Sequence, residues 1–433
     1  MKKINIFWFR KDLRLEDNCG LYHSLKDGVT QPIFIFNKKS LANFSKDSPR
    51  PTLFYNQLKK IDEGLRPYGG SLKIYIGEPK EVFSKILKDF PQIKGVFVNE
   101  DYSPYARKRD EEIKMFLARH KIEFFSFKDR VIFSPWEIVK EDKVPYKIYT
   151  FFKNAWLKNF NQIKITTYPS EKLLSNINQS NFKFIEVKNL HFTLKKIELK
   201  PINWEAILNY HQTRDFPYLD GTSFAGPHLS LGFISPRKMV DIGRKNSVFL
   251  SELIWREFFV NILYHFPYVI KEPFQKNYLN LKWKNNLKEF ERWKTGTTGF
   301  PLVDAGMREL NQTGYIHNRV RMVCASFLVK DLLIDWRWGE RYFADKLIDY
   351  DLASNNGNWQ WVAGCGTDAA PYFRIFNPLE QQKKFDPDEI YISKWIKEFK
   401  TESYPKPMVD HKAAYRRALE FFGKNKVFMN YKI

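Results

Sequence analysis

The chain predicts an α/β N-terminal domain built on a doubly wound parallel sheet, followed by an all-α C-terminal domain. Three observations predict this. Short runs rich in Ile, Val and Phe alternate with amphipathic stretches over the first third, the apolar period then lengthens to about 3.6 residues, and 433 residues suffice for two or three domains of ~150 each. The runs read as strands are Ile4 to Phe9, Pro32 to Phe36, Leu72 to Ile76, Gly95 to Asn99 and Glu123 to Phe127. Between them, Tyr55 to Leu65 and Pro79 to Leu87 read as helices, and Gly69-Gly70 marks an exit. No GxGxxG follows the first strand, which argues against a standard dinucleotide binder. From Val131 to about Pro201, Lys, Asn and Ser dominate around one dense aromatic cluster, Tyr146 to Trp156, which reads as a connector. After Thr222 the helical period appears in Ser251 to Tyr264, Leu302 to Leu310, Asn318 to Leu333 and Glu340 to Asp349. The expected domains are therefore residues 1–130 and 202–433, joined by a connector over 131–201.

Composition narrows the function. Lys and Arg number 71 against 49 Asp and Glu, a formal charge of +22, so a polyanion such as nucleic acid is the leading partner; a codon bias toward Lys, Ile and Asn explains the sign equally well. Cys19, Cys324 and Cys365 are odd in number and never form a CxxC pair, which excludes a disulfide framework, makes zinc an unexpected ligand and suits a reducing cytosol. The apolar run after Met1-Lys2-Lys3 stops at Arg10-Lys11, too short for a signal peptide, and no run reaches the ~18 residues of a membrane span; a soluble, cytoplasmic protein is expected. Aromatic residues make up 17% of the chain and include 12 Trp, a surplus that core packing alone does not account for. The basic stretch Lys412 to Lys426 reads as a solvated helix face.

Four constellations carry chemistry. Glu252 and Trp255 stand three apart and share a helix face, a carboxylate beside an indole suited to gripping a flat heterocycle. Asn318 and Met322 stand four apart, an amide beside a thioether, while Arg319 and Arg321 point elsewhere and suit phosphate or carboxylate. Asn355 and Trp359 face one object together, whereas Trp361 is rotated by about 200° and serves another surface. Before them, Asp349 and Asp351 are acceptors for the N–H edge of an isoalloxazine or for an arginine such as Arg321; an aspartate-based metal site has no His or Cys neighbours to support it. Upstream, Asp220 to Leu229, with Thr222, Ser223, Phe224, Ala225 and Gly226, is a small-residue turn at a helix start that fits a pyrophosphate or simple capping. Taken singly, each motif also fits ordinary core or surface positions.

Together with Phe7 to Arg14, Asp17-Asn18, Thr298 to Ala305 and Tyr372 to Pro378, these motifs resemble the photolyase/cryptochrome flavoproteins, in order over most of the chain. The similarity is greatest to bacterial class I cyclobutane pyrimidine dimer photolyases, which use light and reduced FAD to split dimers in DNA. The resemblance implies that Tyr210, Thr222, Ser223, Phe224, Ala225, Gly226, Arg256, Arg321, Asp349 and Asp351 belong to the FAD-holding segments of the helical domain, with Asn355 opposite flavin N5. It implies that Glu252, Trp255, Asn318, Arg319, Met322 and Trp361 receive a flipped-out dimer, that Arg374 serves the DNA groove, and that Trp359, Trp336 and Trp283 pass an electron toward the flavin. Base flipping is the mode of recognition known for photolyases. Asn318 with Met322, where enzymes of 6-4 photoproducts place a His, favours the cyclobutane lesion; Trp255, where DASH cryptochromes have Tyr, favours duplex DNA. Two positions depart from the family. Ala225 and Gly226 replace a hydroxyl and an apolar anchor of the phosphate turn, with FAD expected to be retained. Tyr105 and Ala106 stand where folate-binding relatives carry Asn-Glu, so a second antenna chromophore is expected to be a deazaflavin or flavin. A light-signalling cryptochrome is the alternative, and a light-independent DNA-binding flavoprotein a third reading. A monomer without an obligate protein partner is expected.

Overall fold

In the computed structural model, residues 3–42, 44–46, 48–190 and 192–424 are described, and the final two residues of the stretch Lys412 to Lys426 lie outside them. Contacts divide the chain into two units: residues 1–145, 152–202 and 224–264, and residues 146–151, 203–223 and 265–433.

In the first unit, β1 (Ile4–Phe9), β2 (Thr30–Phe36), β3 (Lys73–Ile76), β4 (Ile93–Asn99) and β5 (Glu123–Phe127) pair in parallel in the order β3-β2-β1-β4-β5. Phe7 lies opposite both Pro32 and Phe97, so β1 is central. Because strand side chains alternate, the sheet has two cores. Phe7, Phe9, Phe34, Phe36 and Phe97 meet Leu21, Leu25, Leu58 and Ile61 on one face. Ile6, Trp8, Ile33, Ile35, Val96 and Val98 meet Val82, Phe83, Ile86, Ile113 and Leu117 on the other. Strand order reverses between β1 and β4, the crevice where doubly wound sheets receive ligands. There Asn99 Nδ2 donates to Asp12 at 2.6 Å and to Asn18 at 2.7 Å, while Asn99 Oδ1 accepts from the Gly20 amide at 2.8 Å. Beside this network Asp129, wholly buried, binds Arg14 at 2.7 Å and Arg237 at 2.8 Å, and Arg237 also reaches Asp17 at 3.1 Å. Burial alone would push the Asp129 carboxyl up; the two guanidinium groups outweigh it and bring it down to about 2.

The stretch read as a connector contains a helix, Tyr149–Phe160; Phe152 and Trp156 of the aromatic cluster, with Phe160 beyond it, are almost fully enclosed, while Phe151 of the cluster is exposed. Residues 152–202 pack with the sheet unit, a partition by packing that is separate from the functional domains expected above.

The second unit is helical. Its core includes Trp293, Phe300, Val320, Phe327, Trp336, Phe343 and Trp359. One long helix was expected over Asn318 to Leu333; an α-helix, Asn318–Ser326, instead gives way to a π-helical turn, Phe327–Asp331. The wider turn carries Lys330 inward, where its Nζ donates to the Ala363 carbonyl at 3.1 Å and lies over the Phe422 ring, and burial lowers the ammonium to about 7. A helix expected over Glu340 to Asp349 runs from Trp336 to Lys346, because Asp335 caps its start and Leu347 is extended, so Asp349 lies in the following turn.

Candidate active site

The expected site residues fall on both units, and each group is built locally. On the first unit, the helix Ser247–His265 carries Glu252, Trp255 and Arg256. Glu257 anchors it: its buried carboxylate accepts from the amides of Ile132 and Phe133 and from Trp156 Nε1 at 2.6 Å. Burial raises the Glu257 pKa, and those donors partly offset it. The anchor turns Glu252 and Trp255 to a half-exposed face, with the Trp255 indole stacked on Phe259 at 5.5 Å and edge-on to Phe258. Arg256 donates to the Arg130 carbonyl at 2.7 Å.

Of the two uses the sequence offered for the small-residue turn, side-chain capping is not the one seen: the helix Ala225–Ser230 starts from Phe224, which adopts a left-handed conformation and makes no side-chain cap, since a phenyl ring has no oxygen to accept with. Ala225 is buried and Gly226 exposed. On the second unit, Thr222 and Ser223 are buried, and the Thr222 hydroxyl lies 3.5 Å from the Tyr315 hydroxyl. Tyr210 opens a short helix, Tyr210–Thr213, half-buried.

The helix Leu352–Ala363 is the centre of the second unit's group. Asp351 caps it, accepting from the Ser354 amide at 3.1 Å, and Gly364 ends it with a left-handed φ of 80°. Asp351 therefore has a capping role beside any ligand role. Asp349 takes the arginine offered to it by the sequence: Arg321 binds it through both terminal nitrogens, at 3.2 and 2.7 Å. Asn355 Nδ2 donates to the Glu340 carbonyl at 3.1 Å and to its carboxylate at 2.8 Å. This commits the amide nitrogen and leaves Oδ1 as an acceptor with no partner among the described residues. Arg319 pairs with Asp215 at 2.7 Å and lies over the Phe385 ring, while Asn318 is exposed and Met322 half-buried on the same helix. His317 caps that helix, its Nδ1 accepting from the Arg319 amide at 3.2 Å; burial, then the charge of Arg321, lowers the ring to about 4. Arg374 is exposed.

Trp359 is buried, edge-on to Phe343 at 5.0 Å and to Trp293 at 6.3 Å. Gly339 makes room for it, since a Cβ there would come within 2.1 Å of the indole. Trp361, on the opposite side of the helix, is half-buried. Trp336 is buried in the same core, and Trp283 packs on Phe421 at 5.4 Å and Phe422 at 5.9 Å. Among the described residues, Trp283, Trp336 and Trp359 make no ring contact with one another. Sequence reasoning did not single out Glu340, Glu257 or Trp293; a lone acid or indole at helical spacing carries no signal until its partner is known.

An acceptor oxygen held by Glu340 and, on the same unit, an Arg321–Asp349 pair that keeps some exposed surface are the chemistry that suits the polar edge of a flavin, which offers N–H groups. Comparison with known proteins agrees. The family profile described as DNA photolyase matches residues 5–171, and that described as FAD binding domain of DNA photolyase matches residues 249–402. A deoxyribodipyrimidine photo-lyase of Alkalihalophilus pseudofirmus is 35% identical, covering 96% of this chain and 97% of the relative. The crystal structure of a bacterial class III photolyase from Agrobacterium tumefaciens aligns over 99% of both chains with a TM-score of 0.87 and 30% identity. An archaeal photolyase structure from Sulfolobus tokodaii, with two FAD molecules, covers 97% of this chain and 99% of its own, with a TM-score of 0.79 and 33% identity. The chain belongs to the DNA photolyase family of FAD-binding DNA repair proteins. Within it, the chain is an enzyme of the deoxyribodipyrimidine photo-lyase kind, a lyase. The expected placement in class I is too narrow, since a class III enzyme matches the whole fold.

No helix among the described residues is long and apolar enough to cross a membrane.

Proposed function

We propose that this enzyme repairs cyclobutane pyrimidine dimers in DNA, splitting both cyclobutane bonds in a light-dependent reaction. The observation that carries the reading is the Asn355 clamp: Glu340 takes both bonds of the amide nitrogen, so Oδ1 is presented to a protonated ring nitrogen. When bound, reduced FAD supplies the photoexcited electron that the splitting requires. Asn355, Asp349 and Arg321 would hold the isoalloxazine edge, and Tyr210, Thr222, Ser223, Phe224, Ala225, Gly226, Arg256 and Asp351 the remainder of the cofactor. Trp255 and Trp361 are the rings proposed to stack on the extruded bases, and Asn318 and Met322 the side chains proposed to contact them. Glu252 is proposed to lie near one pyrimidine carbonyl and to stabilise the charge that collects there. Arg319 and Arg374 position the backbone through phosphates. Trp359, Trp336 and Trp283 are the proposed electron relay that restores the reduced cofactor. The reading takes residues 1–130 as the antenna domain, 131–201 as connector and 202–433 as the catalytic domain, in a cytoplasmic monomer whose partner is DNA. A second chromophore of the deazaflavin or flavin type is proposed for the first domain, where Tyr105 is exposed and accepts from Asn37 at 2.9 Å.

Irradiation of the fully reduced holoprotein with an oligonucleotide carrying one thymine dimer tests this. Light-dependent recovery of intact thymines is expected, and no recovery above a dark control would reject the repair reading.

A further inference from the structure

Outside the site described above, the second unit has a cavity of about 540 Å³ lined by Ile375, Asn377, His411, Lys412, Tyr415 and Arg416. Its chemistry is one-sided. Lys412 and Arg416, one turn apart on the exposed face of the helix His411–Lys424, form no ion pair among the described residues. The exposed Tyr415 hydroxyl is likewise unpartnered there. Asn377 Oδ1 accepts from the amides of Leu379 and Glu380, which leaves its Nδ2 to donate. His411 is taken by Asp331 through Nδ1 at 2.5 Å. Among the described residues no carboxylate lines the cavity, so an ammonium, a guanidinium, a phenol and an amide face it as donors around the apolar Ile375.

We infer that this cavity is a phosphodiester subsite that holds the DNA strand flanking the lesion, outside the pocket that receives the dimer. Two cations with an interleaved tyrosine suit a sugar-phosphate chain, whose phosphates pair with the cations while the sugar or a base packs on the ring. The volume is in the range of organic ligands and far exceeds the needs of a lone inorganic phosphate. Arg374 and the exposed Phe373 immediately precede Ile375, so the cavity continues from a segment already assigned to the backbone. The inference rests on the reading that this enzyme acts on dimers within DNA.

The test compares dark binding of two probes by the holoprotein: a duplex of about 30 base pairs and a tetranucleotide, each with the same thymine dimer. With Lys412→Glu and Arg416→Glu together, duplex affinity is expected to fall about 10- to 100-fold at ~0.1 M salt, and the slope of log affinity against log salt to become shallower by about 2. Tetranucleotide affinity should change less than about twofold. Lys412→Gln with Arg416→Gln, which adds no repulsive charge, should act in the same direction with smaller size. Duplex affinity that holds within about twofold, or an equal loss on both probes, overturns the subsite. Light-driven splitting of the tetranucleotide dimer by the parent protein reports on the repair reading alone; the flank inference is decided by the duplex comparison whichever way that falls.

Discussion

Two arginine–aspartate pairs of the same length serve different ends. In the first unit, Arg14 and Asp129 meet at 2.7 Å with side chains 5% and 0% exposed, and Arg237 closes the cluster from the other side. In the second, Arg321 and Asp349 also meet at 2.7 Å but remain 23% and 12% exposed. Bond length does not distinguish the pairs; access does. A sealed pair has given up its solvation and depends on every partner it has, whereas a pair with surface left can accept another hydrogen-bonding group without losing the first. The sealed cluster ties β1's exit to Asp129 and Arg237 and holds the sheet unit in register. The open pair, on the same unit as Asn355, keeps hydrogen-bonding surface that the sealed pair has lost.

The largest expected effect breaks the sealed pair. Asp129→Ala should lower unfolding free energy by about 3–5 kcal/mol, because Arg14 and Arg237 are then buried without their carboxylate. Chemical denaturation measures this, and a loss below about 1 kcal/mol would erase the contrast with the open pair.

A smaller effect sharpens the description of the open region. His317 is held neutral when folded, its value lowered from 6.5 to about 4 by burial and by Arg321. The unfolded chain protonates this ring where the folded protein does not. Its contribution is therefore complete above about pH 6.5 and is lost as pH falls through about 4. Across that window, stability should drop by about 2–3 kcal/mol from this group, and His317→Gln should flatten that part of the profile. Parallel profiles for parent and variant would show that the ring does not titrate this way.

The smallest effect concerns Asp349. Asp349→Asn should cost about 1 kcal/mol of stability, since Arg321 keeps access to water, yet weaken flavin retention about tenfold, or ~1.4 kcal/mol. Flavin titration of the stripped protein followed by fluorescence gives the second number. An unfolding penalty as large as that of Asp129→Ala would make both pairs structural.

Much of this was legible before any coordinates. Ile4–Phe9 is the strand read from its apolar run, since buried parallel strands carry continuous Ile, Val and Phe; Glu123–Phe127 was read at the same place from its phenylalanines, although as an edge strand it is at most half-buried. The facing of Asn355 and Trp359 away from Trp361 follows from helical rotation, and the buried Trp359 and half-buried Trp361 agree with it. The Arg321 partner for Asp349 was readable only as one of two uses for that acid. The π-helical turn at Phe327–Asp331 was not readable, because its inserted residue leaves the apolar spacing helical on both sides. Nor was the start at Phe224, where a turn rich in small residues hid a left-handed phenylalanine.

By itself the sequence determined the strands, the helical second half, the excess of positive charge and the residue types able to meet a flavin and a damaged base, because periodicity and local chemistry are written along the chain. Only the tertiary structure decided which groups are already spent. Glu340 occupies the Asn355 nitrogen, Asp215 occupies Arg319, and Lys412 with Arg416 have no counter-ion among the described residues. The reason is physical: a polar side chain's remaining capacity depends on neighbours brought close in space from distant positions, and no local spacing encodes them.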